Sequence, residues 1–477
     1  MNIRNGQVAG IVVLVLLLTG EVAAAPGLRP NVLFIAIDDL RPELGTYGAP
    51  AVTPHIDRLA AEGIRFDRAY TEVAACAASR AGMLTGTYSH TTNVYTMFPP
   101  LAEANPELTT MPQVFKDAGY EAIEIGKFLH TVGDAPDAWS RRRWMPPDMK
   151  SLNYAVPENR VKSAGSRLRG PLTESVDVPD DAYPDGLRAR HAVEELRRLR
   201  GRPFFLALGF QRPHLPFTCP EKYWKLYDRD AIEVPDTTDM AGVATPEFHG
   251  NYELGAYSGG EDTDPREIIR GYRACVSFID AQVGLVLREL ERLELAESTI
   301  VVLWGDHGWH LGEHGIWGKF TALERSLRIP LIMRVPGLTN GESTSGFVET
   351  VDILPTLCEL TGIELPRQVQ GLSFVPLIEQ PQRPWKQAVF GTRGSVPKEK
   401  RFPLAALTVR TPRYRLVRWV RRGAADVRFT ELYDHQTDPR EYTNLADRPE
   451  HQTRVFLMNS MINAWLRLEP VGRPASD

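Results

Sequence analysis

Cys76 and Arg80 frame the segment Cys76-Ala77-Ala78-Ser79-Arg80, which runs straight into Ala81-Gly82-Met83-Leu84-Thr85-Gly86. A thiolate is a good nucleophile when a nearby cation and a helix N-terminus lower its pKa. The same helix end suits an anion. The segment therefore offers a cysteine-derived group facing an anionic substrate, or a buried structural cysteine beside a surface arginine. The rest of the chain has to decide between them.

Four apolar runs end in groups suited to metals or anions. Asn31 to Ile37 ends in Asp38-Asp39, and Tyr120 to Ile125 leads to Lys127 and His130. Phe204 to Phe210 leads to His214, and Thr299 to Trp304 leads to Asp306-His307. Asp38, Asp39 and Asp306 are hard oxygen donors suited to Ca2+ or Mg2+, and His307 adds a nitrogen. Three carboxylates at one buried site repel one another unless a cation sits among them. Arg80, Lys127, His130, His214 and Lys319 form a second set, of cations and proton donors. A sulfate ester or a doubly charged oxyanion fits between the two sets. Lys319 closes Gly312-Glu313-His314-Gly315-Ile316-Trp317-Gly318, a glycine-rich loop able to fold tightly over a site.

Three rival chemistries fit less well. His307, His310 and His314 have zinc-like spacings, but Gly308, Gly312 and Gly315 argue against the helix that such a zinc site needs. A cysteine phosphatase loop needs a longer spacer than the three residues between Cys76 and Arg80. A Cys-His hydrolase has no use for the carboxylates.

Asn31 to Ile37 is rich in β-branched residues, as in a strand buried on both faces of a parallel sheet, and Phe204 to Phe210 and Thr299 to Trp304 are likewise apolar strands. Thr53 as N-cap and Pro54 at the first helical position open a helix that stops at Gly63. Ile64 to Thr71 is a strand leading into the Cys76 loop. Met111 to Ala118 is a helix. Leu187 to Arg200 reads as an amphipathic helix with its arginines outward. Asp264-Pro265 starts a long helix, Ile329 to Val335 is a strand, and Asp352 to Leu360 is a helix ended by Gly362. The stretch from 134 to 184 lacks a period and reads as a surface insertion. This alternation predicts an α/β fold with a mostly parallel sheet sandwiched by helices. After about residue 380 the pattern changes. Short strands at Leu404 to Arg410, Tyr414 to Val420 and Phe429 to Tyr433, with a helix from Gln452 to Leu468, predict a smaller C-terminal α+β domain. The expected division is 1–24 leader, 25–380 catalytic domain and 381–477 C-terminal subdomain.

The 477 residues are 43% hydrophobic and 24% charged, which excludes global disorder. Net charge is −5 with no basic tail, so nucleic acid is not an expected partner. Arg4, the eleven apolar residues Val8 to Leu18 and the small residues Val22-Ala23-Ala24 read as a signal peptide cut after Ala24. The expected mature protein is exported, periplasmic or secreted, with no stable membrane association. Cys76, Cys219, Cys275 and Cys358 are the four cysteines. Cys275 and Cys358 fall on apolar helix faces, where a free thiol behaves as a small hydrophobe.

The Cys76–Arg80 segment with Leu84-Thr85-Gly86 resembles the sulfatase signature, and the resemblance extends over nearly the whole mature chain. Asn31 to Asp39, Gly126-Lys127 and Thr299 to Gly308 look like the family's metal and lysine strands. Gly126-Lys127-Phe128-Leu129-His130, Arg212-Pro213-His214-Leu215-Pro216-Phe217 and Asp306-His307-Gly308-Trp309 look most like its iduronate-2-sulfatase branch. Leu432-Tyr433-Asp434 with Asp438-Pro439 does too. One departure is Ala78, where the family usually has proline. The resemblance implies an alkaline-phosphatase-like sulfatase fold. It implies that a formylglycine-generating enzyme converts Cys76 to formylglycine, whose hydrate attacks sulfur. It further implies one Ca2+ per chain, held by Asp38, Asp39, Asp306 and His307 and touching the Cys76-derived group. Arg80, Lys127 and Lys319 would stabilise sulfuryl charge, His214 with Lys319 would protonate the leaving alkoxide, and His130 would serve the step that releases sulfate. The implied substrate is a sulfated saccharide, foremost 2-O-sulfated uronic acid (iduronate) units of a polysaccharide. Alternatives are another sulfatase specificity, phosphoester hydrolysis on the same scaffold, or an unmatured, inactive carbohydrate-binding protein.

Overall fold

The computed structural model describes residues 29–147, 153–160, 169–237, 240–243, 252–393, 404–421 and 427–468. The leader expected at 1–24 lies outside them.

Seven strands form the central sheet: β1 (Asn31–Ile37), β2 (Ile64–Tyr70), β3 (Glu121–Gly126), β4 (Phe204–Phe210), β5 (Thr299–Gly305), β6 (Arg328–Arg334) and β7 (Glu342–Glu349). Their spatial order is β7-β2-β6-β5-β1-β4-β3. β6 runs antiparallel to β2 and β5, and the other pairings are parallel. Every residue of β1, β4 and β5 is buried, which is why these strands read as unbroken apolar runs.

Alternate β1 side chains face opposite layers. Leu33, Ile35 and Ile37 join one core, which the helices α1 (Pro54–Glu62), α3 (Pro184–Leu199) and α4 (Pro265–Arg292) cover through Ile56, Leu196 and Ile279. Val32, Phe34 and Ala36 join the other, which α2 (Cys76–Thr85) and α5 (Ile353–Thr361) cover through Met83 and Leu357. Each fully buried side chain of this kind contributes roughly 1.5–3 kcal/mol. The β1 register matters most for function. Ile37 lies opposite Phe210 on one side and Gly305 on the other, so the chain leaves three adjacent strands at one edge of the sheet.

A four-stranded antiparallel sheet follows: β8 (Val389–Arg393), β9 (Leu404–Arg410), β10 (Tyr414–Arg421) and β11 (Val427–Asp434). The helix α6 (Gln452–Trp465) packs Ile462 and Trp465 against its Leu416 and Leu432.

Three expectations need correction. The 134–184 stretch is not simply a surface insertion, because Tyr154, Leu172, Glu174 and Tyr183 are buried within it. Glu174 ties it together by accepting from the Ala155 backbone N–H at 2.6 Å and the Tyr183 hydroxyl at 3.0 Å. The arginines of α3 do not all face solvent, since Arg188 is fully buried against Asp185. Asp185 also accepts the backbone N–H groups of Gln211 (2.9 Å) and Arg212 (3.0 Å), so this pair shapes the turn that carries His214. Thr53 does precede α1, but its side chain makes no cap; it donates to Asp57 at 2.9 Å instead.

Candidate active site

The site lies where ligands bind in open α/β sheets, beyond the carboxyl ends of the strands. Asp38 and Asp39 follow β1, and Asp306 and His307 follow β5. All four are buried. Asp39 takes a left-handed φ of 61°, which turns its backbone N–H onto Asp306 Oδ1 at 2.9 Å. The His307 backbone N–H donates to the same oxygen at 2.9 Å. Cys76 opens α2 and is fully buried. Ser79, one turn along, accepts from Thr71 at 2.9 Å and donates to the Asp306 carbonyl, which binds α2 to the end of β5.

The structure brings the two sets of predicted residues together around Cys76. Its sulfur lies 3.3 Å from His307 Nε2, 3.5 Å from Lys319 Nζ and 4.0 Å from Lys127 Nζ. Lys127 also donates to Asp38, and Lys319 donates to Asp39 at 2.7 Å. Donor atoms of Asp38, Cys76, Asp306 and His307 lie within 4.8 Å of one another, and so do those of Asp38, Asp39, Cys76 and His214. The four described cysteines are free and buried.

Arg80 is placed differently from the expectation. Its Nε and Nη2 donate to Asp306 Oδ2 at 3.1 and 2.9 Å, and Nη2 also reaches Asp38 at 3.2 Å. Its Nη1 donates to the carbonyls of Lys127 (2.5 Å) and Phe128 (2.7 Å). The guanidinium is thus committed to holding the carboxylates and the β3 loop. His130 stands at the rim, its ring edge-on to Phe98 at 6.4 Å. Burial and the Lys127 charge push its pKa down to about 4.

The protonation states separate the two candidate proton donors. Burial would lower the Lys319 pKa, but Asp39 and the Cys76 sulfur outweigh it and hold the ammonium well above its ordinary range. Burial, Lys319 and Lys127 together push His214 well below its ordinary value, so this imidazole is neutral at pH 7. His214 Nδ1 lies 2.8 Å from the Leu215 carbonyl. A carbonyl only accepts, so Nδ1 carries the proton and Nε2 is left as an acceptor.

The donor set fits a hard divalent cation. Three carboxylates and an imidazole converge, and His307 Nδ1 is oriented by the Gly308 carbonyl at 3.1 Å, the kind of support that ligating histidines have. Burial pushes Asp39 well above the carboxylate range, and Lys319 and His307 offset this only in part. A dication beside Asp39 would supply the missing compensation. The alternative zinc trio does not converge. His310 instead faces Thr321 Oγ1 at 2.9 Å, and His314 donates to the Glu441 carbonyl at 3.0 Å.

Residues outside the predicted set also build the site. Ser79 lay within the signature but carried no expected role. Glu253 contacts Lys319, yet the only sign of it in the sequence is a lone acidic residue in an unpatterned stretch.

Residues 30–363 match the family model described as Sulfatase, and 312–466 match N-sulphoglucosamine sulphohydrolase, C-terminal. The chain is 33% identical to the iduronate 2-sulfatase of Homo sapiens over 391 residues, which cover 72% of this chain and 71% of that one. A solved structure in complex with its substrate D-glucosamine-2-N,6-O-disulfate superposes with a TM-score of 0.75 at 22% identity, covering 92% of this chain and 98% of the other. A phosphonate monoester hydrolase of Agrobacterium radiobacter superposes with a TM-score of 0.76 at 22% identity, covering 94% and 100%.

Proposed function

This chain belongs to the sulfatase family, a class of sulfuric ester hydrolases, and from that premise we propose that it removes 2-O-sulfate from uronic acid (iduronate) units of sulfated polysaccharides. The observation that carries the reading is the Cys76 sulfur, flanked by two lysine ammoniums and set into three buried carboxylates. The human relative supports the choice of sugar.

Asp38, Asp39, Asp306 and His307 would hold Ca2+, next to a formylglycine made from Cys76 by a formylglycine-generating enzyme. When present, these groups supply a Lewis acid and a hydrated-aldehyde nucleophile. The chain's own side chains do the rest. Lys127 and Lys319 bind the sulfuryl oxygens from either side of residue 76. Arg80 acts through Asp38 and Asp306, which it orients. Lys319, the ammonium nearer the Cys76 sulfur at 3.5 Å, gives its proton to the leaving sugar oxygen. Neutral His214, with its proton on Nδ1, accepts through Nε2 rather than donates, a change from the role first expected of it. His130 remains at the rim as a second acceptor for the sulfate-releasing step.

We place the mature protein outside the cytoplasm, on the strength of the leader pattern. No helix among the described residues is long and apolar enough to cross a membrane. A second reading, phosphoester or phosphonate hydrolysis, draws on the fold it shares with the phosphonate hydrolase.

The test is a panel of defined sulfated disaccharides, an aryl sulfate and a phosphonate ester, with mass spectrometry of the Cys76 peptide. Conversion to the lighter aldehyde and fastest release from 2-O-sulfated uronate are expected. An unconverted thiol in protein from its native host would sink the reading, and fastest turnover of the phosphonate would favour the second one.

A further inference from the structure

We infer that Glu253 is a positioning residue for Lys319, one that aims its ammonium at the leaving oxygen of a sugar sulfate. The inference rests on the sulfatase reading.

Glu253 lies on the short helix Tyr252–Gly255, with its side chain 13% exposed. One carboxylate holds Lys319 at both ends. Oε1 is 3.5 Å from Lys319 Nζ, and Oε2 accepts the Lys319 backbone N–H at 3.4 Å. Oε2 also accepts the Trp309 indole N–H at 3.3 Å. Trp309 is itself fixed, its ring stacked on Tyr272 at 6.1 Å and edge-on to Phe217 at 5.7 Å. On the other side, the Tyr252 ring leans on Phe320 at 5.8 Å, next to Lys319 in the chain.

This grip differs in kind from the one Asp39 exerts. Asp39 is 2.7 Å from Lys319 Nζ but belongs to the candidate metal set, where its oxygens have a second demand on them. Glu253 stands outside that set, so its hold on Lys319 does not compete with a cation. Lysine is a point charge on a flexible stem, and a proton donor works only when held in line with its acceptor.

The chemistry predicts where such positioning shows. The S–O bond to the sugar breaks, its electron pair stays on the sugar oxygen, and a Lys319 N–H proton neutralises it. The oxygen that takes the vacated place on sulfur would come from the hydrate at residue 76, and the water that renews that hydrate after sulfate leaves restores the proton to Lys319. A sugar alkoxide is a poor leaving group and needs that proton. A nitrophenolate leaves without it.

The experiment compares matured, metal-loaded wild type, Glu253→Gln and Glu253→Ala on a 2-O-sulfated uronate disaccharide and on 4-nitrophenyl sulfate. Glu253→Ala is expected to lower kcat on the disaccharide about 30-fold with KM nearly unchanged, and to slow the nitrophenyl ester less than about threefold. Glu253→Gln keeps an acceptor oxygen in the same volume and should fall between wild type and Ala. Equal losses on both substrates, a change confined to KM, or no change would each overturn the inference. Wild type inactive on both esters would overturn the sulfatase reading and the inference with it, and that outcome is read before any variant is made.

Discussion

Among the described residues, one buried and one partly buried cluster of carboxylate and histidine are built to opposite ends. One surrounds Cys76. The other lies between the central and C-terminal sheets, where Glu324, His435 and Glu441 also bring donor atoms within 4.8 Å of one another. In this second cluster Arg415 closes the arrangement. Its Nε donates to Glu441 and its Nη2 to Glu324, both at 2.6 Å. Its Nη1 reaches the Ala322 carbonyl at 3.3 Å, the Glu324 backbone N–H donates to Glu441 at 2.8 Å, and His435 Nε2 lies 2.9 Å from Glu441. A guanidinium fork matched to carboxylates is rigid and always charged. The Cys76 cluster also has an arginine, but Arg80 holds its carboxylates from one side only. The other side is faced by two lysines and a sulfur. Convergent acids therefore do not make a reactive centre by themselves. What differs is whether the cations opposite them form a fixed fork or separate points around the Cys76 sulfur.

The largest expected difference between the clusters is in turnover. Asp306→Asn removes one charge from the Cys76 cluster while keeping the volume, and should lower kcat at least about a thousandfold with the fold intact by circular dichroism. Activity above a tenth of wild type would remove Asp306 from the centre. Glu441→Ala should do the reverse. It leaves Arg415 buried with one partner fewer and should cost about 3–5 kcal/mol in urea unfolding, with kcat below the transition little changed. A large loss of kcat in that variant would mean that the two clusters are coupled.

Metal binding sharpens the contrast further. Added to chelator-treated protein at about a hundred times its Kd, Ca2+ should stabilise wild type and Glu441→Gln by about 2.7 kcal/mol, read as a rise in Tm, and leave Asp306→Asn unmoved. Equal shifts in all three would place the cation elsewhere. The smallest effect is in acid. Burial would raise the Glu441 pKa, but Arg415 and His435 outweigh it and bring it from its ordinary 4.5 to about 2. Its contribution to stability is then complete above about pH 4.5 and lost as pH falls toward 2. Unfolding free energies measured across that window should slope for wild type and flatten for Glu441→Gln. Matching slopes would show that the Arg415 cluster does not carry this acid sensitivity.

Much of the candidate active site was legible because its residues sit at the ends of apolar runs. Asn31–Ile37 and Phe204–Phe210 were readable to the residue, since a strand buried on both faces must be apolar throughout. The 134–184 stretch was misread for the converse reason. Its buried residues are scattered singly and held by side-chain bonds such as those of Glu174, which leave no period. Arg188 was misread because a buried ion pair looks like a charged surface until its partner is known.

The sequence by itself determined six of the seven central strands, all but β7, with the acids and cations at their carboxyl ends and the Cys76–Arg80 segment, because these depend on neighbours in the chain. Only the tertiary structure decided what each group faces. Arg80 meets Asp306 across 226 positions, and Lys319 meets Cys76 across 243. Strand register and loop packing set those meetings, and no local pattern records them. For the same reason, only the fold shows that burial and two lysines press the His214 pKa down, that Glu253 grips Lys319 at both ends, and that Arg415 closes a second cluster which its acids alone would have made look like the first.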